Sequence, residues 1–146
     1  MARFLSALLS LCVVACSLAA PADMNRRQTG DLQCNLERLQ TLSDVLSAET
    51  LLGQINTANL TTAEAVAVAQ VDLKSVDGAL QTILAAVVQG KTSPNDAQEQ
   101  FAHGLAAAQK ALNGITDPNA KAAVAAVQTK IASAITDGDK VVAECK

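Results

Sequence analysis

The chain has 146 residues, a formal net charge of −3, and a composition that is 50% hydrophobic but only 1% aromatic. It holds no Trp or Tyr, two Phe and one His, and no basic cluster beyond the pair Arg26-Arg27. That balance excludes aromatic platforms for bases or sugars, leaves no patch for nucleic acid or an anionic membrane, and offers no histidine set for a metal.

Residues 1–19 read as a secretory signal. Arg3 supplies the positive start, residues 4–18 the apolar core, and Ser17 and Ala19 the small residues that precede a cut. The core is too short and too poorly flanked for a membrane anchor, so no transmembrane segment is expected. Cleavage is expected after Ala19, with Ala22 as the alternative, because Pro21 would follow a cut at Ala20. The polar segment behind it ends in Arg26 and Arg27. This is either a dibasic processing site or the end of an uncut tail. Residues 28–146 then form one domain of 119 residues, with eight basic against thirteen acidic side chains. That length suffices for a real core.

Residues 31–47 read as a helix with Leu32, Leu36, Leu39, Leu42 and Leu46 as its buried stripe. The pattern loses phase at Glu49 and Thr50, and Leu51, Leu52 and Ile55 form a rotated patch. The first leg is therefore expected to split near Ser47 into two helices, the second ending about Ile55. Residues 56–60 make a turn holding the sole glycosylation sequon, Asn59-Leu60-Thr61. Thr61 is also the expected cap of the next helix, paired with Glu64 in a capping box. The turn is thus either modified or simply capped.

The longest regular stretch is 62–89. Val66, Ala69, Leu73, Val76, Leu80, Ile83 and Val87 follow at alternating steps of 3 and 4, a heptad-type seam. Gln70, Asp72, Lys74, Asp77 and Gln81 occupy the other face, and Gly90 is placed to stop the helix. Ser93 and Pro94 then read as cap and first position of a helix over 94–113. Its seam is Ala97, Phe101, Leu105, Ala108, Leu112 and Ile115, with Phe101 the largest plug. His103 falls off that seam and reads as a surface residue, while Gly104 would allow close helix approach. Asp117-Pro118 opens the last helix, 118–143, with Val124, Val127, Ile131 and Ile135 as its seam, extended by Val141 or Val142. Asp137-Gly138-Asp139 lacks the other ligands of an EF-hand and reads as a solvated kink.

Cys12 and Cys16 leave with the signal, so Cys34 and Cys145 remain. In a secreted chain two cysteines most simply pair; an intermolecular bond or two free thiols are the alternatives. Closing so long a loop is worth about 4–5 kcal/mol at most in the chain-entropy picture. The fold expected is all-α, an antiparallel four-leg helical bundle whose first leg is split in two. An even number of legs brings both chain ends to one end of the bundle, where Cys34 can meet Cys145.

The signal, the leucine-rich first helix, the Thr61-Thr62-Ala63-Glu64-Ala65-Val66 start of the second and the alanine-rich seams together resemble the fungal hydrophobic surface-binding protein and cell-wall mannoprotein family. The resemblance implies a helical bundle, secreted or associated with the cell wall. It also implies adsorption to hydrophobic surfaces, recruitment of esterases there, or fatty-acid binding in a bundle cavity. The Cys34/Cys145 pair and the lack of a Ser/Thr-rich attachment stretch depart from the family pattern. Ala67, Ala106, Ala107, Ala122, Ala123 and Ala126, beside the seams, would add a weakly apolar surface. The expected function is non-enzymatic binding of hydrophobic surfaces or lipids in the extracellular space or cell wall. The alternative is a secreted effector acting by protein–protein contact on a host or neighbouring cell. A lone His103, the absence of a free nucleophilic cysteine and the absence of a Gly-rich elbow argue against an enzyme. No catalytic, cofactor or metal residue is assigned.

Overall fold

The computed structural model describes residues 32–145. The signal at 1–19, the pair Arg26-Arg27 and the expected helix start at Asp31 lie outside the described residues. Within them the chain is all-helical: α1 (Leu32–Leu52), α2 (Leu60–Val88), α3 (Asn95–Asn113) and α4 (Lys121–Glu144). No helix among the described residues is long and apolar enough to cross a membrane.

The helix ends follow from local chemistry, at positions shifted from those expected. Asn59, not Thr61, caps α2: its extended backbone lets Oδ1 accept from the N–H groups of Thr61 and Thr62, at 3.0 and 3.4 Å. Gly90 stops α2 as expected. Its φ of +67° sets up the paired bonds Lys91 N–H to Ala86 O and Gly90 N–H to Val87 O, which satisfy the last carbonyls. Pro94 rather than Ser93 is the residue before α3, and no side chain caps that helix. Asp117-Pro118 opens a single turn, closed by Asn119 N–H to Asp117 Oδ1 and Ala120 N–H to Asp117 O. Helix α4 proper begins only at Lys121.

The helices associate in two pairs. Helix α1 lies along α4, and α2 along α3, with sparser contact from one pair to the other. Both pairs are antiparallel. Cys34, in the first turn of α1, is bonded to Cys145 just past the end of α4, with Cα atoms 5.4 Å apart. Further along, Asp44 meets Lys130 at 2.8 Å. In the other pair, Gln100 Nε2 of α3 donates to Ser75 Oγ of α2 at 3.0 Å. All four helices feed one core, in which Leu52, Leu73, Leu105, Leu112 and Ile131 are the largest fully buried side chains. Each contributes about 1.5–3 kcal/mol of transfer free energy.

The seams of α2, α3 and α4 are largely those read from the sequence. Val66, Ala69, Leu73, Val76 and Leu80 are buried on α2, Phe101, Leu105, Ala108 and Leu112 on α3, and Val124, Val127 and Ile131 on α4. Ala134 takes the buried place expected of Ile135, which is half-buried, and Val142 is exposed. Helix α4 is not interrupted at Asp137-Gly138-Asp139. The helix runs through it, with Gly138 against the ring of Phe101, where a Cβ would sit 3.1 Å from Cε1.

The first leg differs most. It is not split: α1 is one helix across Ser47, with the Ser47 and Thr50 hydroxyls donating to the carbonyls of Ser43 and Leu46. Its buried residues are Cys34, Glu37, Thr41, Val45, Ala48 and Leu52, followed by Ile55 in the turn. These positions follow at steps of 3 and 4, a regular helical seam whose first half carries polar residues. The expected leucine stripe is not the core face. The out-of-phase patch that suggested a break is partly the continuation of this other seam.

Candidate functional site

Turning α1 so that Cys34 faces α4 sends its leucines outward. Leu32 is 83% exposed, Leu39 64%, Leu46 50% and Leu36 46%, while Leu42 and Leu51 pack partly against the core. The helix is thus apolar on two faces, and among the described residues only one is covered. Along the flank toward α4, Leu39, Leu42, Leu46 and Leu51 line an open groove of about 600 Å³, with Lys130 at its edge.

Of the polar side chains lining this groove, Ser43, Ser47, Thr50 and Lys130, the last three are engaged. The hydroxyls of Ser47 and Thr50 are spent on backbone carbonyls one turn back, which leaves their carbon atoms facing outward. Lys130 Nζ is held by Asp44 Oδ1 at 2.8 Å. The lining therefore offers mainly apolar area, with one ion pair and the Ser43 hydroxyl. It fits a partner that brings hydrocarbon and asks for no specific hydrogen bond.

Two acidic clusters lie elsewhere. At the disulfide end, Glu37 is buried on the α1/α4 seam; its Oε1 accepts from Gln33 Nε2 at 2.6 Å and its Oε2 lies 3.9 Å from Lys140 Nζ. Lys140 is also held by Asp137 at 2.7 Å, which raises its pKa. Near the end of α1, Glu49 shares a side-chain hydrogen bond with Asp77 of α2. Burial first, then that bond and the charge of Asp77, push the Glu49 carboxyl up to about 7, with Lys74 acting the other way. Neither cluster sits in the groove. Among the described residues no group of three or more His, Cys, Asp or Glu is placed to hold a metal ion.

Of the residues singled out in the sequence, Cys34 and Cys145 are brought together as expected. Asn59 is exposed at the start of α2, and His103 is exposed on α3. Arg26 and Arg27 lie outside the described residues. Ala67, Ala106 and Ala122 are exposed, whereas Ala107, Ala123 and Ala126 are half-buried. By periodicity alone the leucine face reads as core, and it is exposed. The signal that locates it is Cys34: counting helical steps from a cysteine that must face α4 yields the covered seam and leaves the leucines outside. Compared with known protein families, curated proteins and solved structures, the chain finds no match.

Proposed function

We propose that this is a small secreted protein without enzymatic activity that binds hydrophobic surfaces or lipids in the extracellular space, through the outward leucine face of α1. The observation that carries this reading is the exposure of Leu32, Leu36, Leu39 and Leu46 on a helix whose other face is packed. Helix formation does not require leucine there, since Lys, Glu or Gln have similar propensity and would keep the face in water. Covering the face recovers roughly 25 cal/mol for each Å² of apolar surface removed from water. Val68 and Val71 on α2, also exposed, add a second apolar strip.

The same reading treats the four helices as one antiparallel four-leg bundle that acts as a rigid mount. The leucines are displayed without any opening of the core. The Cys34–Cys145 bond joins α1 to the helix it already packs against, so it steadies the display and does not clamp one pair onto the other.

The test is adsorption to an alkyl-coated surface and to neutral phospholipid vesicles, for the wild type and for a variant carrying Leu36→Gln, Leu39→Gln and Leu46→Gln. These positions are exposed, so circular dichroism should be unchanged. Half-exposed leucines each worth about 1 kcal/mol should together weaken adsorption roughly a hundredfold. Equal adsorption by variant and wild type would overturn the assignment to this face. Saturable binding to one protein, with no adsorption to either apolar surface, would favour an effector acting by protein contact through the same leucines.

A further inference from the structure

We propose that Asn59 carries an N-linked glycan, and that the same side chain continues to cap α2 once modified. The inference rests on the secretory reading of this chain, and its site is independent of the leucine face.

Sequence alone set the two roles of this turn against each other, because Thr61 served both as sequon hydroxyl and as cap. The structure separates them. The cap is Asn59, and it uses only the carbonyl oxygen. Oδ1 accepts from Thr61 N–H at 3.0 Å, Thr62 N–H at 3.4 Å and Thr61 Oγ1 at 2.6 Å. Two of those donors are backbone N–H groups, so the side-chain amide can only be oriented with oxygen toward the helix. Nδ2, the atom that carries a glycan, is therefore directed away from the helix end. Asn59, Leu60 and Thr61 are all exposed, and residues 56–58 ahead of them have no regular structure.

The chemistry leaves the cap intact. In the transfer, Nδ2 attacks the anomeric carbon of an oligosaccharide carried on a polyprenyl diphosphate. The carbon–oxygen bond to the diphosphate breaks, the new N–C bond forms, the polyprenyl diphosphate leaves with the bonding electrons, and one amide proton passes to a base of the transferase. The product is still an amide with the same carbonyl oxygen, so every bond accepted by Oδ1 can persist.

Two substitutions pull the roles apart. Thr61→Ala destroys the sequon and leaves the Asn59 cap with both backbone donors. Asn59→Asp removes the amide that is modified and keeps an equally good cap. The experiment expresses the full chain in a eukaryotic secretory host, once from its own N-terminus and once behind an independent secretory leader. Intact mass is read on the chain recovered from the secretory compartment and the medium, before and after treatment with a peptide N-glycosidase. The expected result is a glycan mass that the enzyme removes, leaving an aspartate at position 59, and that both variants lack while their helicity matches the wild type. A bare chain behind the independent leader would overturn the site. A glycan seen only behind that leader would keep the site and sink the secretory reading of residues 1–19.

Discussion

The two helix pairs reach the same antiparallel arrangement by different physics. Helices α2 and α3 are neighbours in sequence, joined by a short link, and their seam is apolar and small: Leu73, Val76 and Ala79 on one side, Gly104, Leu105 and Ala108 on the other. Helices α1 and α4 come from opposite ends of the domain, 111 positions apart at the cysteines. Their seam includes buried Glu37 and Thr41, an ion pair at Asp44–Lys130 and a covalent bond at the end. Closing a long loop costs more chain entropy than closing a short one, and a crosslink offsets that cost. Both pairs are packed to a similar extent, and the distant pair alone adds a covalent bond to that packing. The bond lies at the end of α1 where the seam is least apolar, at Cys34, Glu37 and Thr41.

The largest expected effect tests that division. Replacing both Cys34 and Cys145 by Ser should lower stability by about 2–4 kcal/mol, read from urea unfolding followed by circular dichroism. Amide exchange should rise most in α1 and α4 and least in α2 and α3. Equal loss of protection across all four helices would mean that the pairs do not differ as described.

The next effect belongs to the packed pair. A Cβ on Gly104 would stand 2.6 Å from Val76 Cγ2 and 3.1 Å from the backbone oxygen of Asp72. The side chain can yield but the backbone of α2 cannot do so without moving the pair apart. Gly104→Ala should therefore destabilise by about 1–3 kcal/mol. Gly78, also within a helix, has nothing within 4 Å of its Cβ position. Gly78→Ala should stabilise by up to about 1 kcal/mol through helix propensity alone. Opposite signs in thermal unfolding confirm that close approach, not helix propensity, fixes the glycine at 104.

The same contrast explains what the sequence made legible. On helices α2, α3 and α4 the most regular apolar stripe is the covered one, so periodicity identifies both the helix and its buried face. Helix α1 carries two stripes, and hydrophobicity picks the wrong one, because Leu32, Leu36, Leu39 and Leu46 outrank Cys34, Glu37 and Thr41 on any scale. Nothing in residue character alone says that the more apolar face stays uncovered. The information lies in a long-range constraint, the pairing of Cys34 with Cys145, which fixes the phase of the helix. The expected caps stand one to three residues from the observed ones, Ser93 against Pro94, Thr61 against Asn59 and Asp117 against Ala120; Asn59 and Thr61 are both good caps, and only the observed backbone at 59 decides between them.

The smallest effect falls where the two pairs meet, at Glu49 on α1 and Asp77 on α2. Glu49 is raised from 4.5 to about 7, by burial first and by Asp77 second. A carboxyl whose folded pKa is raised holds its proton more tightly folded than unfolded. Folding then takes up a proton between pH 4.5 and about 7, and stability falls as pH rises through that window. Below it the carboxyl is neutral in both states; above it the penalty is fully present. The full shift would correspond to more, but the pair is open to solvent on one side, and screening reduces the expected loss to about 1 kcal/mol or less. Glu49→Gln keeps a hydrogen-bond donor toward Asp77 and removes the charge. Its urea midpoint should match the wild type near pH 4.5 and exceed it at pH 8. A wild-type midpoint that stays above the variant's at pH 8 would show that Glu49 and Asp77 do not repel across this seam, and that the sparse contact between the pairs is indifferent to pH.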